Sequence, residues 1–200
     1  MDADFGKEKF VIFVRHGESE KNIENLVTSE VVEKYPLTQR GEEQAKEAGK
    51  RLKVLTKIDA FYTSPILRAR QSADIISKSI GLTSVVDYRL KERNFGILEG
   101  KREPEGTEWK FDAKNMIEPW AELKGKMMSF MQQIDGRVVV AVTHGDNMSA
   151  ACDAIENLGE RVNAISPPAN CHFTVIDLKR MRVVKKDTFE MPDELRWYIQ

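Results

Sequence analysis

The sequence predicts an α/β fold, a doubly wound and mostly parallel sheet with helices on both faces, in three layers. The apolar runs at residues 10–14 and 138–142 are short and rich in β-branched or aromatic residues, which is typical of parallel strands covered on both faces. Strand and helix patterns alternate along the chain, as they do in α/β proteins. Each apolar run leads to a His-Gly pair, His16-Gly17 and His144-Gly145. Open α/β sheets bind ligands at the carboxyl ends of their strands, so both imidazoles are expected at that edge.

The first half of the chain provides two helices and a second strand. Residues 18–32 are too mixed for a firm assignment and are interpreted as a short helix plus loop. Residues 39–55 form an amphipathic pattern in which Thr38 is expected to cap the helix N-terminus. The buried stripe of this helix is predicted to consist of Ala45, Ala48, Gly49, Leu52 and Leu55.

A short strand at residues 60–63 precedes Ser64 and Pro65, which are interpreted as the N-cap and first helical residue of a helix reaching about residue 80. Arg68 then falls in the first turn of that helix, beside free backbone N–H groups. It is therefore a candidate to bind an anion.

The second half begins with a weak strand at residues 84–86 and an irregular loop at 89–100. Residues 101–118 are rich in charges of both signs and are interpreted as a lid-like insertion. The next helix is predicted from apolar residues at helical spacing, namely Met116, Trp120, Leu123, Met127, Phe130, Met131 and Ile134.

After the second His-Gly pair, a helix is predicted at residues 146–158, with Leu158 on its buried face. Residues 172–177 and 182–186 resemble a terminal antiparallel hairpin at the sheet edge. His172 lies in no motif and is interpreted as structural. Residues 191–200 form a tail that could fold back onto the domain or cover a neighbour.

Length and composition limit the class of protein. A chain of 200 residues with 41% apolar content suits one domain spanning residues 1–200. A net charge of -1 and a pI near 6.4 give no basic field, so nucleic acid is not an expected partner. The polar N-terminus and the lack of a long apolar run predict no membrane association and a cytoplasmic location. Cys152 and Cys171 form no CxxC motif, so neither a disulfide framework nor structural zinc is expected.

The residues around the two histidines suit a phosphate monoester. Such an ester carries nearly two negative charges at neutral pH, so its attacking group must be neutral while its oxygens need cationic donors. A neutral His16 between Arg15 and Arg68 meets both needs, because each guanidinium can donate hydrogen bonds to two phosphate oxygens. Gly17 and Gly145 allow the backbone to approach the ligand.

Four motifs in order, Arg15-His16-Gly17-Glu18, residues 64–69, residues 92–96 and residues 143–146, resemble the histidine phosphatase superfamily, also called the phosphoglycerate mutase-like family. The resemblance covers about residues 10–177. It implies a doubly wound sheet, with His16 as phosphoryl acceptor and Glu92 as proton donor. It also implies that Arg15, Arg68 and His144 surround the phosphate, and that Asn22 occupies a pocket position commonly polar in the family.

Some assignments stay open at this level. Glu99 lies near Glu92 in the sequence and is the other carboxylate that could donate the proton. Thr28 and Ser29 could offer hydroxyls to the substrate, although the composition of a loop explains them equally well. No metal site and no cofactor are expected, because the arginines and His144 already neutralise the phosphoryl charge.

The predicted function is a metal-independent phosphomonoesterase that acts on a small phosphorylated metabolite through a phosphohistidine intermediate. The first alternative is a cofactor-dependent phosphoglycerate mutase, which needs a second anion site. Phe95 stands where such mutases typically have tyrosine, and the insertion is shorter and lacks their paired arginines. The insertion's cations could still contribute, namely Lys101, Arg102, Lys110 and Lys114.

A second alternative is a catalytically silent module that recognises phosphorylated partners. The expected partner is a small-molecule phosphomonoester. A homodimer is compatible with the sequence but not determined by it.

Overall fold

A computed structural model of the chain describes residues 8–29, 33–106, 108–110, 112–157 and 167–198. The strands are β1 (Phe10–Arg15), β2 (Ala60–Thr63), β3 (Val85–Val86), β4 (Val138–Thr143), β5 (Phe173–Asp177) and β6 (Arg182–Thr188). The helices are α1 (Glu20–Ile23), α2 (Gln39–Leu52), α3 (Leu67–Ile80), α4 (Trp120–Gln133) and α5 (Gly145–Glu156). Short 3-10 segments occur at Tyr88–Leu90, Gly96–Leu98, Glu108–Lys110, Ala113–Asn115 and Asp193–Tyr198. No helix within these described ranges combines the length and apolar character needed to cross a bilayer.

The strands form one six-stranded sheet in the order β3-β2-β4-β1-β5-β6. Strands β3, β2, β4 and β1 are parallel, whereas β5 runs antiparallel to β1, and β6 antiparallel to β5. The mostly parallel sheet is confirmed. Because Arg15 pairs in register with Thr143, the residues that follow β1 and β4 leave the sheet side by side at one edge.

Helices cover both faces of the sheet, which confirms the three-layer prediction. Alternate residues of β1 point to opposite sides. Phe10, Ile12 and Val14 belong to a core cluster that includes apolar residues of α2 and α3. Val11 and Phe13 belong to a second cluster, with residues of α4 and α5. Burial of each such side chain is worth about 1.5–3 kcal/mol, so β1 is held firmly from both sides.

Helix α2 begins as predicted and ends earlier. Thr38 accepts a hydrogen bond from the Gly41 N–H, as expected of an N-cap. The predicted end at residue 55 is wrong, since the helix stops at Leu52. The chain then turns toward the C-terminal segment, where the Thr56 N–H donates to the Tyr198 carbonyl. The Tyr198 ring packs edge-on against Phe10 at 6.2 Å, so this part of the tail folds back on its own domain.

The predicted cap of α3 is wrong by two residues. The helix begins at Leu67, its N-cap is Ile66, and Ser64-Pro65 form the turn before it. The Ser64 hydroxyl accepts from the Ile66 N–H at 3.3 Å but also faces His144. Arg68 lies in the first turn of the helix, as predicted.

Helix α4 begins later than the spacing of apolar residues suggested. Met116 lies outside the helix, has a φ of 51° and is 72% exposed. The reason is Pro119, because the residue before a proline is disfavoured in helical geometry, so the helix begins only at Trp120.

Two predictions about the C-terminal third also change. Helix α5 starts at Gly145 and ends at Glu156, and Leu158 lies outside the described residues. The predicted hairpin exists as β5 and β6, but only β6 lies at the sheet edge. Strand β5 also pairs with β1 and is buried along its length, because it lies between β1 and β6 in the sheet.

The described part of residues 101–118 lies against the domain. Arg102 forms a bridge with Leu26, and Trp109 packs with Val27 and Phe95 in a small third apolar cluster. The two aromatic ring centroids are 6.1 Å apart. This segment therefore adds a small apolar cluster beside the loop that contains the 3-10 segment Gly96–Leu98.

Backbone contact between two glycines places the loop after β1. A Cβ on Gly41, in the first turn of α2, would overlap the Glu18 carbonyl, and a Cβ on Gly17 would overlap the Gly41 carbonyl. The close approach brings α2 against the segment that carries His16.

We expect Gly41→Ala to lower the free energy of unfolding by about 1–3 kcal/mol or more, because backbone must move to relieve the overlap. The control is Gly125→Ala in α4, where a Cβ meets nothing within 4 Å. That change should be neutral or stabilising by up to about 1 kcal/mol, since alanine is the better helix former. Denaturant unfolding of both variants measures the difference, and equal stabilities would contradict the packing argument.

Candidate active site

His16 is buried at the end of β1 with its tautomer set by two hydrogen bonds. Nδ1 lies 2.7 Å from the Gly17 carbonyl oxygen, which can only accept, so Nδ1 carries the proton. Nε2 accepts from Arg68 Nε at 3.1 Å. Burial lowers the pKa of His16 well below its usual value, and the charges of Arg68 and Arg15 lower it further. The ring is therefore neutral, with a lone pair on Nε2.

Arg68 is fully buried and connects the parts of the site. Its Nη2 donates to the Thr28 carbonyl at 3.0 Å and lies 3.4 Å from His144 Nδ1. Burial lowers the pKa of Arg68 to about 10, so the guanidinium keeps its charge at neutral pH. The side chain thus brings α3, the loop after α1 and both histidines together.

Three buried donors around His16 have no hydrogen-bond partner among the described residues. They are Arg15 Nε, Arg68 Nη1 and the Thr28 hydroxyl. Arg15 is fixed by another donor, since its Nη1 binds the Pro168 carbonyl at 2.6 Å. Leaving a buried donor unsatisfied costs about 1–3 kcal/mol, and more for charged groups, so this arrangement suits an anion.

His144 follows β4 and caps α5, and its ring centroid lies 5.2 Å from that of His16. Its Nε2 pairs with the Ser64 hydroxyl at 2.8 Å, which leaves Nδ1 facing Arg68 and Glu92. Burial lowers the pKa of His144 well below its usual value, with Arg68 adding to the effect. The site therefore contains two neutral imidazoles.

Glu92 is the carboxyl group at the site. One oxygen, Oε2, lies 3.7 Å from His144 Nδ1, and the other accepts the backbone N–H of Arg93 at 3.1 Å. Burial raises the pKa of Glu92 to about 7, and the charge of Asp146 adds to the rise. A carboxyl group with that pKa is suited to give and take a proton near neutrality.

Glu99, the other candidate acid, is bonded within its own loop. It accepts from the Ser29 hydroxyl, the Ser29 N–H and the Phe95 N–H. Of these two carboxyl groups, Glu92 is the one that lies beside His144.

Asp146, in the first turn of α5, connects the site to the 3-10 segment at Glu108–Lys110. Lys110 Nζ lies 3.1 Å from one carboxylate oxygen, and Arg93 Nη1 lies 3.7 Å from the other. The Arg93 guanidinium also lies over the Trp120 ring, 5.3 Å from its centroid. This buried ionic cluster brings a negative charge close to Glu92.

Other residues predicted from the sequence have local roles. Asn22 accepts from the N–H and hydroxyl of Ser19, the N-cap of α1, and so completes a capping box. The Gly17 N–H donates to the Ser72 hydroxyl at 3.0 Å. Gly145 leaves room for Pro167, because a Cβ on residue 145 would lie 2.6 Å from the Pro167 Cβ. His172 Nδ1 lies 2.7 Å from Asp187, apart from the other two histidines, as its structural interpretation requires.

Sequence reasoning missed two residues at the site, Ser64 and Lys21. Ser64 was interpreted as a helix cap, yet its hydroxyl supports His144. Lys21 is buried in a four-residue helix whose pattern is too short to reveal an inward face. Its neighbour in sequence, Asn22, was the only signal available.

Known proteins resemble this chain over most of its length. The family model for the histidine phosphatase superfamily (branch 1) matches residues 11–188. A 2,3-bisphosphoglycerate-dependent phosphoglycerate mutase of Thermoplasma acidophilum is 31% identical over 199 residues, covering 96% of this chain and 98% of the relative.

Solved structures share the fold. Bacillus stearothermophilus YhfR aligns with a TM-score of 0.75 at 23% identity, covering 92% of this chain and 98% of that one. A mycobacterial glucosyl-3-phosphoglycerate phosphatase, solved in complex with VO3, aligns with a TM-score of 0.71 at 21% identity, covering 84% and 92%. With the family model matching most of its length, the chain belongs to the histidine phosphatase superfamily.

Proposed function

We propose that the protein is a metal-independent phosphomonoesterase that acts on a small phosphorylated metabolite through a phosphohistidine at His16. One observation carries the proposal. Unsatisfied donors of Arg15, Arg68 and Thr28 lie around a neutral imidazole whose Nε2 lone pair accepts a hydrogen bond from Arg68 Nε. Two guanidinium groups balance a phosphate dianion, which fits the site without a bound metal.

The first step transfers the phosphoryl group to His16. Nε2 attacks phosphorus, the bond from phosphorus to the ester oxygen breaks, and that oxygen takes the proton of the Glu92 carboxyl group. The imidazole becomes positively charged and its Nδ1–H continues to donate to the Gly17 carbonyl. Arg68 Nε is then released from Nε2 and can hold a phosphoryl oxygen.

The second step hydrolyses the phosphohistidine. The Glu92 carboxylate takes a proton from water, and the oxygen of that water attacks phosphorus. The bond between phosphorus and Nε2 breaks and its electron pair returns to the ring. Inorganic phosphate leaves, and Glu92 is protonated again.

Phosphoglycerate mutase activity is the second candidate, because the Thermoplasma acidophilum relative bears that name. A mutase needs a second anion site that excludes water. Phe95 lacks a hydroxyl and packs against Trp109. Of the four cations considered in the insertion, Lys101, Arg102 and Lys114 are exposed, and Lys110 is paired with Asp146. These features favour water as the phosphoryl acceptor.

A panel of phosphomonoesters assayed in EDTA separates the candidates. It includes 3-phosphoglycerate with and without 2,3-bisphosphoglycerate. Release of inorganic phosphate supports a phosphatase, formation of 2-phosphoglycerate that depends on the bisphosphate supports a mutase, and binding without turnover supports a silent module. Loss of activity in EDTA would overturn the metal-free proposal.

We expect His16→Ala to lower phosphate release by at least about a thousandfold while leaving the fold intact, because the covalent route is lost. Alkaline quenching of the wild type during turnover of a 32P-labelled ester should trap label on His16, since phosphoramidates survive alkali. His172→Ala is the matched control and should remain labelled. Near-normal turnover in His16→Ala, or label on another residue, would contradict the mechanism.

The role of Glu92 depends on the leaving group. With an alkyl phosphate the departing alkoxide is strongly basic, so Glu92→Gln should slow phosphoenzyme formation by about a hundredfold or more. With p-nitrophenyl phosphate the phenolate departs unaided, so the first step should be spared and a burst of nitrophenol should precede slow hydrolysis. Single-turnover kinetics measures both steps. If Glu92→Gln slows phosphoenzyme formation equally with both substrates, Glu92 only positions the ester. Glu99→Gln serves as the control.

The pH dependence of the first step follows from the raised pKa of Glu92. The acid form donates the proton, and this form disappears as the pH rises through about 7. Phosphoenzyme formation from an alkyl phosphate should therefore fall about tenfold per pH unit above that value. The same step with p-nitrophenyl phosphate should show no such fall. If the rate of phosphoenzyme formation falls equally with both esters above pH 7, the titrating group is not Glu92.

A further inference from the structure

The segment that precedes β5, residues 167–172, is hydrogen-bonded to the end of β1. The Pro168 carbonyl accepts from Arg15 Nη1 at 2.6 Å. The side-chain amide of Asn170 donates to the His16 carbonyl at 2.8 Å, and the Cys171 N–H donates to the Arg15 carbonyl at 3.0 Å. The position of Arg15 relative to His16 therefore depends on this segment.

Asp187, near the end of β6, binds the same segment from its other side. Its Oδ1 accepts the Ala169 N–H at 2.8 Å and lies 2.7 Å from His172 Nδ1. Strand β6 is two strands away from β1 in the sheet, and the Asp187 side chain is 53% exposed. A single carboxylate oxygen outside the site thus joins two donors of the segment that contacts Arg15.

An irregularity in β6 turns Asp187 toward this segment. Phe173 pairs with Thr188 and Val175 with Lys185, so β6 has one more residue than β5 between these two pairs. Asp187 lies in this bulge and has a φ of 45°. A bulge bends its strand and can redirect a side chain, and aspartate is one of the few residues besides glycine that adopt a positive φ readily. The strand therefore departs from regular geometry where it presents the carboxylate.

Asp187 and Arg15 bind opposite ends of one peptide group. The Pro168 carbonyl and the Ala169 N–H belong to the same planar unit, and in a trans peptide they point in opposite directions. The N–H end faces the carboxylate and the carbonyl end faces the guanidinium. The dipole of the peptide is then aligned with both charges, and hydrogen bonds in such a chain strengthen one another. The orientation of this peptide group is therefore fixed at the end remote from Arg15.

The contact at Nη1 also sets the direction of the other donors of Arg15, because a guanidinium is a rigid planar fork. Arg15 Nε is buried and has no hydrogen-bond partner among the described residues. It lies 3.7 Å from the place that a Cβ on Gly145 would occupy, at the start of α5. Fixing Nη1 on the Pro168 carbonyl therefore aims the Nε–H beside the residue that follows His144.

We propose that Asp187 is a positioning residue for Arg15, acting through the peptide group between Pro168 and Ala169. This inference rests on the proposed function, in which Arg15 binds the transferred phosphoryl group. Without the carboxylate, the peptide group is free to turn and Arg15 Nη1 loses its fixed acceptor. A displacement of about 1 Å in a group that positions a substrate can cost about a hundredfold in rate.

The test compares two substitutions of Asp187. Asp187→Gly removes the acceptor and tolerates the positive φ. Asp187→Asn keeps an amide oxygen that can accept the same two hydrogen bonds but carries no charge. We expect kcat/KM for p-nitrophenyl phosphate to fall about tenfold or more in the glycine variant and less than about threefold in the asparagine variant. Lys185→Gly, at an exposed position of the same strand, is the matched control and should leave kcat/KM unchanged.

A double-mutant cycle with Arg15→Met separates positioning from a general structural effect. If Asp187 acts through Arg15, Asp187→Gly should change kcat/KM less than about threefold once Arg15 is gone. The affinity for orthovanadate, measured by calorimetry on the same four proteins, gives the same comparison where turnover is too slow. Asp187→Ala replaces the glycine variant if that variant unfolds.

Three results would overturn the inference. Equal losses from Asp187→Gly in both backgrounds would make Asp187 merely structural, and no loss in either would remove it from the chain of contacts. A loss in Asp187→Asn as large as that in Asp187→Gly would mean that the charge of Asp187 acts, not its hydrogen bonds to the segment.

The proposed function is tested separately by labelling of His16 in the wild type. If the label is found on His16 while the cycle shows equal losses, only the role of Asp187 fails. If no label is found on His16, the proposed function fails whatever the cycle shows.

Discussion

The burial of Arg68 is the constraint on which the site depends. Its guanidinium lies inside the protein and donates to His16 and to the Thr28 carbonyl, and it approaches His144. Burial lowers the pKa of both neighbouring imidazoles and the charge of Arg68 lowers it further, so both histidines stay neutral. The same group keeps one donor unsatisfied. In the proposed function this donor binds the phosphate, which offsets the cost of desolvating the charge.

The pKa of Glu92 depends on a different part of the molecule. Asp146 lies at the start of α5, paired with Lys110 from the segment before α4. Its negative charge acts with burial to raise the pKa of Glu92, whereas Lys21 and Arg68 oppose that rise. The proton affinity of Glu92 is thus a balance between groups from four regions of the chain. This balance makes the proposed acid sensitive to contacts well away from the reacting atoms.

Lys21 is a buried lysine whose charge acts on the same groups as that of Arg68. In the proposed function the two arginines match the two charges of a phosphate monoester. Because α1 buries this lysine and exposes Ile23, the arrangement is a property of the backbone as well as of the side chain. On the side of the insertion, by contrast, the contact between Phe95 and Trp109 is apolar. Both features lie in short irregular segments around a regular sheet.

The sequence by itself determined the layered α/β fold and the main features of the site. Short apolar runs followed by His-Gly pairs indicate buried parallel strands, because their composition and length are local properties. Thr38 as a cap and Arg68 in a first turn follow from the same local rules. The four motifs in order then placed His16, His144, Arg15 and Glu92 at one edge.

Only the tertiary structure decided how these groups are paired. The in-register pairing of β1 with β4 sets the separation of the histidines, and no local pattern encodes it. Ser64 was predicted as a cap and instead supports His144, since strand β2 ends beside β4. Glu99 and Glu92 look alike in sequence, yet one bonds within its loop and the other lies buried beside His144. Lys21 was overlooked because burial of a charge depends on distant elements that close around it, not on its neighbours along the chain.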